Sequence, residues 1–444
     1  MAVDFSAMGR QLEQGFVDPA IFLDEEIYQL ELERVWRRCW LFVAHESMIP
    51  KPGDYVTTFM GEDAVIVVRG SGGKLRVMLN RCRHRGVKLC PYDRGSTKTF
   101  SCVYHGWVYD NDGRLVHVPE YEKGYDGVLD KEQSGLIEVP QVASYGGFIF
   151  ANWDAGAVPL DVYLGDMRYY FDNAFGRLYA GEIEMSPIKQ RARTHHNWKV
   201  AADNASDMYH FSVSHVGAIE TVQDFTSFMN LGYDDTNYLA TLNEDRADGP
   251  SHTIVAAKML SDAEAYDLQI AGRFGAASVD YVKRRYALMD KLDQRVTRGY
   301  LSVAGIFPSM TIIDMAPLSV GVTIELYHPK AARETETWLY VYVEKDAPPE
   351  FKKFAAQQGI RFHSFTGSVV PSDHENWERL DEGIGGPASS RIPLNYTLGG
   401  GGSRGSEAYH AQRYDELPGA VEYCMSERGA RSLYRHWLQL MQEA

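Results

Sequence analysis

Two short segments each place a cysteine close to a histidine. CRHRG contains Cys82 and His84, and CVYHGW contains Cys102 and His105. Seventeen residues separate His84 from Cys102. Thiolates and imidazoles are side chains that bind transition metals well. The spacing therefore predicts a metal site to which two similar loops contribute two ligands each.

The mixture of ligands distinguishes between two kinds of metal site. A structural zinc site also uses two cysteines and two histidines, but it commonly pairs like with like along the chain. In a Rieske [2Fe–2S] cluster, two thiolates hold one iron and two imidazoles hold the other. Gly86 and Gly106 follow the two arms, where the backbone must turn tightly. We interpret the four residues as Rieske ligands, with structural zinc as the alternative.

A second set of ligands lies in ADNASDMYHFSVSH, which contains Asp207, His210 and His215. Two histidines and one carboxylate form the facial triad of non-haem iron(II) oxygenases, which leaves positions open for dioxygen and substrate. His210 and His215 are five residues apart, roughly 140° round an ideal helix. Both reach one ion only if the helix is interrupted. The serines and valine of residues 211–214 weaken a helix, and we predict a break or a π-type turn there.

Both motifs resemble those of the Rieske ring-hydroxylating oxygenases, and the resemblance covers nearly the whole chain. The late segment GSVVPSDHENWE also resembles an acidic segment of that family. The resemblance implies Asp373 as the third iron ligand, with Ser372 in the place of a first aspartate. Respiratory Rieske proteins carry one more cysteine in each loop, and Val87 and Tyr104 stand at those places here.

The resemblance also implies roles for residues near the second site. Asp207 would bridge His210 to a cluster histidine of a neighbouring subunit, His105 by match, and so give electrons a path. Asn204 would be a further polar catalytic group. Our candidates for the substrate pocket are Asp203, Met208, Phe211, Phe307 and His363.

The chain of 444 residues is too long for one hydrophobic core, and its patterns indicate an α+β protein. We predict an N-terminal helical segment packing on the catalytic domain at 1–40, an all-β Rieske [2Fe–2S] domain at 41–155 and a catalytic mononuclear non-haem iron domain at 156–444. Consecutive runs such as VGVTIELYHP and TWLYVYVEK predict a large antiparallel sheet flanked by helices. NWKVAADNASDMYHF is predicted to be one helix with Asn197 as its N-cap.

Composition restricts the partners and the compartment. The chain has 60 acidic and 45 basic residues, a net charge of −15, so neither nucleic acid nor an anionic membrane is the expected partner. There is no run of 18 apolar residues and no signal pattern in MAVDFSAMGRQLEQGF, so we expect a cytoplasmic protein. Cys39, Cys90 and Cys424 have no histidine partners and are predicted to be small buried residues.

The two predicted metal sites together indicate a terminal oxygenase. The resemblance implies cis-dihydroxylation of an aromatic hydrocarbon or aromatic acid, and a trimer, α3 or α3β3 with a small β subunit. GGGSRG fits a dinucleotide fingerprint but lacks the βαβ context, so NADH is expected to act through a separate reductase, with or without a ferredoxin. The alternatives are a Rieske monooxygenase or demethylase of an aromatic substrate, a Rieske electron-transfer protein without oxygenase activity, and a zinc-stabilised binding module.

Overall fold

The structure is a computed structural model, and its chain divides into two compact units. One unit comprises residues 36–160, and the other comprises residues 1–35 and 161–444. The segment GGGSRG lies outside the described residues. The structure describes residues 3–175, 183–217, 237–244, 249–258, 262–297, 300–315, 317–399 and 416–443.

The described residues contain the following strands and helices. The strands are β1 (Phe16–Val17), β2 (Leu41–His45), β3 (Asp54–Met60), β4 (Asp63–Arg69), β5 (Leu75–Leu79), β6 (Arg94–Ser96), β7 (Thr99–Ser101), β8 (Val108–Asp110), β9 (Leu115–His117), β10 (Gln141–Tyr145), β11 (Phe148–Asn152), β12 (Ile183–Thr194), β13 (Tyr238–Leu242), β14 (His252–Lys258), β15 (Tyr300–Ile306), β16 (Met310–Asp314), β17 (Val322–Ala331), β18 (Glu334–Glu344), β19 (Leu394–Asn395) and β20 (Ala420–Tyr423). The helices are α1 (Phe5–Glu13), α2 (Ala20–Leu23), α3 (Glu25–Arg34), α4 (Tyr121–Gly124), α5 (Leu160–Leu164), α6 (Met167–Asn173), α7 (Trp198–Asn204), α8 (Phe211–Ser214), α9 (Ala263–Gly272), α10 (Ala276–Met289), α11 (Pro349–Phe362), α12 (Val370–Ile384) and α13 (Arg428–Gln442). Short 3-10 segments lie at Glu46–Met48 and Ser389–Arg391.

The smaller unit is built from three antiparallel sheets, as the short alternating runs predict. Their strand orders are β10-β11-β2, β5-β4-β3-β6 and β7-β8-β9. Alternate residues of β4 and β5, among them Ile66, Val68 and Met78, share a buried core with Cys82 and Cys102. The packing of Cys82 and Cys102 in this core therefore fixes the start of each cysteine–histidine segment.

The larger unit contains an eight-stranded antiparallel sheet in the order β12-β18-β17-β16-β15-β14-β13-β20. Strands β15 to β18 follow one another in the chain and pair with their neighbours, so the predicted run of consecutive antiparallel strands is confirmed. Helices α9, α10 and α11 contribute Ile270, Tyr286 and Phe351 to an apolar core with strand residues such as Val255. The sheet and the end of α11 contribute to the lining of the site described below.

The predicted single helix over NWKVAADNASDMYHF is wrong, because α7 ends at Asn204. Asn197 does cap α7, accepting a hydrogen bond from a backbone N–H within its first turn. After the helix ends, the Asp207 carboxylate accepts hydrogen bonds from the backbone N–H of Tyr209 at 2.7 Å and of His210 at 3.3 Å. An aspartate that bonds its own following backbone competes with helical bonding, and the chain turns at this point.

The break or π-type turn predicted within residues 211–214 is also wrong, although the helix does end at Ser214, with His215 as its C-cap. Residues 211–214 form the short helix α8 with regular bonds, from Ser214 N–H to the His210 carbonyl at 2.8 Å and from His215 N–H to the Phe211 carbonyl at 3.1 Å. The irregular backbone thus precedes His210, and the two imidazoles meet across one regular helical turn.

Three cysteines behave as predicted. Cys39, Cys90 and Cys424 are buried and form no disulfide. In the part of the chain that the structure describes, no helix is both long and apolar enough to cross a bilayer.

A buried ion pair joins three helices of the larger unit. Lys199 of α7 donates to the carboxylate of Glu31 in α3, and neither side chain is exposed. The indole N–H groups of Trp198 and of Trp437 in α13 also donate to Glu31, at 2.8 Å and 2.7 Å. The carboxylate is therefore satisfied by one cation and two neutral donors, and it positions the helix that leads to Asp207.

Replacing Lys199 by methionine is expected to lower the stability of the larger unit by about 3–5 kcal/mol, because Glu31 is left as a buried charge without its cation. For a unit of this size, the unfolding midpoint should fall by on the order of 10 °C, measured by scanning calorimetry. Lys353→Met, at an exposed position of α11, is the matched control and should change the midpoint little. Equal midpoints for the two variants would contradict the assigned role of the ion pair.

Candidate active site

The two cysteine–histidine segments form loops of the same backbone design in the smaller unit. The N–H of Gly86 donates to the carbonyl of Cys82, and that of Gly106 to Cys102, both at 3.0 Å. The φ angles of the two glycines are +74° and +70°, in the left-handed region that side chains rarely adopt. A Cβ at Gly106 would also lie 2.9 Å from the Pro119 ring. Glycine is thus required at both turns.

The four predicted ligands are arranged with the thiols inside and the imidazoles outside. Cys82 and Cys102 are buried, and His84 and His105 are partly exposed. The Nδ1 atoms of the two histidines lie 3.1 Å apart. Two nitrogens bound to one metal ion at about 2.1 Å each would be separated by roughly 3 Å. The arrangement therefore fits two imidazoles on one outer iron and two thiolates on one inner iron.

Neighbouring side chains hold these ligands in place. The ring of His84 stacks on that of Trp107, with centroids 5.0 Å apart and planes 8° from parallel. The hydroxyl of Tyr109 accepts a hydrogen bond from the backbone N–H of Arg83 at 3.0 Å and lies 3.5 Å from Cys82 Sγ. Its own O–H is therefore available to the sulfur, and hydrogen bonds to the sulfurs are one means by which proteins set cluster potentials.

The second predicted site lies in the larger unit, where His210, His215 and Asp373 come together. The Nε2 atoms of the two histidines are 3.2 Å apart, and Asp373 Oδ1 lies 3.4 Å from that of His210 and 3.3 Å from that of His215. Three ligand atoms on one face of an octahedral ion, each about 2.1 Å from it, would be separated by roughly 3 Å. Among the described residues, this is the one group of three or more histidine, cysteine or acidic side chains whose ligand atoms all lie within 4.8 Å of one another.

Contacts behind the triad orient its ligand atoms. Ser372 donates its hydroxyl proton to the Val369 carbonyl at 2.8 Å and lies 2.9 Å from His215 Nδ1. It is therefore the acceptor for a proton on Nδ1, which leaves Nε2 of His215 free for a metal. Asp207 Oδ2 lies 3.2 Å from His210 Nδ1, as an ion-pair contact rather than a hydrogen bond. Such outer partners fix the tautomer of a ligating histidine.

The electrostatics of the triad favour a cation. Burial opposes the charge on Asp373, but the adjacent imidazoles of His210 and His215 lower the pKa of that carboxyl to about 2. Burial likewise disfavours protonated His210, but Asp207 and Asp373 raise the pKa of that ring to about 10. Asp373 Oδ1 is buried and has no hydrogen-bond partner among the described residues. A divalent metal ion would neutralise the charge on Asp373 and supply the partner that its Oδ1 lacks, so the donor set fits a mononuclear iron.

A cavity opens directly on the triad. It contains about 890 Å³ of space not occupied by atoms, its open mouth included. The predicted residues Asn204, Met208, Phe211 and His363 line it. The sheet contributes alternate residues to the same wall, namely Val255, Leu301, Val303, Thr311, Ile313, Glu325 and Tyr327.

Two residues predicted for the pocket do not line this cavity. Phe307 is buried in the core, where its ring packs against those of Trp198 and His436. The carboxylate of Asp203 accepts hydrogen bonds from Tyr434 and, at 2.9 Å, from Tyr396. Burial raises the pKa of Asp203 to about 7, against the effect of these two hydroxyls. Both predictions are wrong for this cavity, because Phe307 lies beyond the end of β15 in the core and Asp203 borders the separate groove described below.

Glu325, Tyr327 and Thr311 also line the cavity, and they were not predicted from the sequence. Glu325 interrupts the otherwise apolar run VGVTIELYHP. Acidic residues are rarely buried in the middle of a strand, because burying their charge is costly. Glu325 could therefore have been singled out from the sequence. Tyr327 and Thr311 gave no signal, because tyrosine and threonine are common in strands.

A groove lies on the other side of the segment that carries Asp207. Asn204, Asp207 and His210 border both the cavity and this groove. Two apolar side chains at the groove are exposed, Tyr209 at 62% and Val213 at 76%. The side chain of Asp207 is 36% exposed. One short segment therefore separates the interior of the site from a surface that a second protein can approach.

Two family models match the chain. The Rieske [2Fe–2S] domain matches residues 39–145, and the ring hydroxylating alpha subunit (catalytic domain) matches residues 184–443. The matches include all seven predicted metal ligands of the two sites.

Similar proteins cover nearly the full length of the chain. Biphenyl 2,3-dioxygenase subunit alpha of Rhodococcus jostii (strain RHA1) is 36% identical over 436 residues, which is 96% of this chain and 89% of the relative. The N,N-dimethyl phenylurea N-demethylase subunit alpha of Sphingobium sp. (strain YBL2) is 32% identical, over 87% of this chain and 84% of the relative.

A solved structure of naphthalene 1,2-dioxygenase with indole bound in the active site superposes with a TM-score of 0.81. It is 28% identical in sequence, and the match covers 97% of this chain and 93% of that one. The fold of both units is thus that of an oxygenase alpha subunit. The chain belongs to the ring-hydroxylating alpha subunits, oxidoreductases that carry a Rieske [2Fe–2S] cluster and a mononuclear iron.

Proposed function

We propose that this chain is the terminal oxygenase of an aromatic-ring dioxygenase, which adds both atoms of O2 to a ring as a cis-dihydrodiol. The observation that carries the proposal is the cavity that opens on His210, His215 and Asp373. A metal ion held by one face of three ligands has positions left for dioxygen and substrate. The biphenyl and naphthalene dioxygenases named above act on aromatic rings, which supports the same substrate class here.

We assign Cys82, Cys102, His84 and His105 to the Rieske cluster. When bound, the cluster supplies single electrons and the mononuclear iron supplies oxygen activation. The remaining work belongs to the protein. Ser372 lies beside Nδ1 of His215 and Asp207 beside Nδ1 of His210, so that Nε2 of each ring is directed at the metal site. The apolar wall of the cavity excludes water from the ring that is to be oxidised.

Electron entry is assigned to the groove beside Asp207. Its Oδ2 lies 3.2 Å from His210 Nδ1 and the side chain is partly exposed, so this oxygen can accept a hydrogen bond from outside. His105 is partly exposed in the smaller unit, next to Tyr104 at 58% and Val103 at 85% exposure. Exposed apolar residues beside a charge are typical of protein contacts. We propose that the cluster of a neighbouring subunit in a trimer, α3 or α3β3, docks here through His105.

The electrons are proposed to come from NADH through a separate reductase, with or without a ferredoxin. The two sites provide ligands for metals and a cavity for an aromatic ring, and the proposed cluster would take up electrons one at a time from a protein partner. An NADH-dependent partner implies a cytoplasmic location.

Product analysis tests the proposed reaction. The enzyme with its cluster and iron, a surrogate ferredoxin and reductase, NADH and 18O2 should convert biphenyl or naphthalene to a cis-dihydrodiol in which both oxygens are labelled. The demethylase relative supports a second candidate, a monooxygenase or demethylase, because substrate position at the same iron decides the outcome. A product with one labelled oxygen, or loss of an N-methyl group from a phenylurea without any dihydrodiol, would favour that candidate.

Removing the carboxylate ligand should separate the two metal sites. Asp373→Ala is expected to lower the iron content from about three to about two per chain, because the cluster needs only its own four ligands. The EPR spectrum of the reduced cluster should be unchanged, and turnover should fall at least about 100-fold. Glu375→Ala, an exposed position on the same helix, is the control. Normal iron content in Asp373→Ala would contradict the assignment.

Asp207→Ala should block electron transfer while leaving both metal sites filled. The expected result is about three irons per chain, with reoxidation of the reduced cluster by O2 and substrate slowed about 100-fold or more. Stopped-flow absorbance follows that step directly. Ser212→Ala changes another residue of the groove and should leave the rate near wild type. A near-normal rate in Asp207→Ala would show that electrons take another route.

A further inference from the structure

One corner of the cavity is polar, and no step proposed above uses it. Thr311 of β16 and Glu325 of β17 are paired across the sheet, and Tyr327 follows two residues later on the same face. The Tyr327 hydroxyl lies 2.8 Å from Glu325 Oε2 and 3.1 Å from Thr311 Oγ1. These three side chains form a hydrogen-bonded row on an otherwise largely apolar wall.

The row leaves one acceptor unused. A phenol donates a single hydrogen bond, so either Thr311 donates to Tyr327 and Tyr327 to Glu325, or a protonated Glu325 starts the row in the reverse direction. In both orders Oε1 of Glu325 remains an acceptor, because the bond within the row is to Oε2. Glu325 is 5% exposed and lines the cavity. Its Oε1 is therefore suited to accept a hydrogen bond from a ligand in the cavity.

Two further observations indicate that the ligand is polar but is not an anion. His363 lines the cavity, is 3% exposed, and its Nδ1 has no hydrogen-bond partner among the described residues. The described lining contains neither lysine nor arginine, whereas Glu325, Asp207 and Asp373 all belong to it. Burial raises the pKa of Glu325 to about 7, against the hydrogen bond from Tyr327. The corner is therefore polar without being a site for anions.

We propose that the substrate is an aromatic ring bearing an N–H or O–H donor, which Glu325 Oε1 accepts while the ring lies toward His210, His215 and Asp373. This inference rests on the proposed function and narrows its substrate class. An unsubstituted arene leaves the acceptor unpaired, and a site built to bond a hydroxyl or amine discriminates against the analogue that lacks it. An aromatic carboxylate meets Glu325 without a compensating cation, so the aromatic acids considered from the sequence are disfavoured.

Binding to the anaerobic enzyme, with cluster and iron in place, tests the inference. The probes are biphenyl, its three monohydroxy and three monoamino isomers, and the corresponding carboxylates, with dissociation constants measured by calorimetry. The best hydroxy or amino isomer is expected to bind wild type at least about tenfold more tightly than biphenyl. The carboxylates should bind more weakly than biphenyl.

Variants then test whether Glu325 causes the preference for hydroxy and amino isomers over biphenyl. Glu325→Leu should reduce the tenfold ratio to within about twofold, and Glu325→Gln, which keeps an acceptor oxygen, should retain part of it. Thr323→Val is the matched control, because Thr323 is buried on the same strand but does not line the cavity, and its ratio should equal that of wild type.

The outcomes separate this inference from the proposed function. A wild-type ratio near one overturns the inference, whatever the folding of the variants. A full ratio in Glu325→Leu also overturns it. If biphenyl and its hydroxy and amino isomers are all converted to dihydrodiols with equal efficiency, only the inference fails. If no arene in the panel is oxidised by the complete electron-transfer system, the proposed function fails.

Discussion

The site depends on three ligand atoms with lone pairs being held 3.2–3.4 Å apart in a buried part of the larger unit. Such atoms repel one another unless a proton or a metal ion lies among them. The surrounding structure must therefore keep the triad together before the metal arrives. Ser372 contacts the imidazole of His215 at 2.9 Å, the short helix α8 joins the two histidines, and Asp373 is held in the first turn of α12.

The segment that carries the histidines is itself held from behind. Lys199 and Trp198 secure α7 to Glu31, and α7 leads directly into the turn that Asp207 stabilises. A side chain that turns the backbone and also contacts a ligand has two structural tasks. The early end of α7 is therefore a requirement of the site, because a continuous helix would carry Asp207 and His210 away from their present positions.

The metal ligands could be predicted from the sequence because their chemistry is rare and their spacing is short. Cys82, His84, Cys102 and His105 lie in two loops of a few residues each, and His210 and His215 are separated by a single helical turn. The large antiparallel sheet was also predictable, since β15 to β18 are consecutive in the chain. Asp373 required the resemblance to a family, because nothing local distinguishes it from other acidic residues.

What could not be predicted depends on which way a side chain faces. Phe307 and His363 are both plausible pocket residues by type, but one packs in the core and the other lines the cavity. The end of the helix at Asn204 was not predicted, because the choice between a continued helix and an aspartate turn is decided by one side-chain hydrogen bond. The row of Thr311, Tyr327 and Glu325 exists only once the sheet register brings β16 and β17 together.

The cavity has two walls of different origin, and this division has a practical consequence. One wall consists of alternate sheet residues such as Val303 and Ile313, and the wall toward the groove is the turn at Asn204 and Asp207. Residues of the sheet wall can be exchanged without altering the surface that faces a redox partner. Substitutions confined to the strands would therefore change which substrates the cavity accepts, while the electron donor could stay the same.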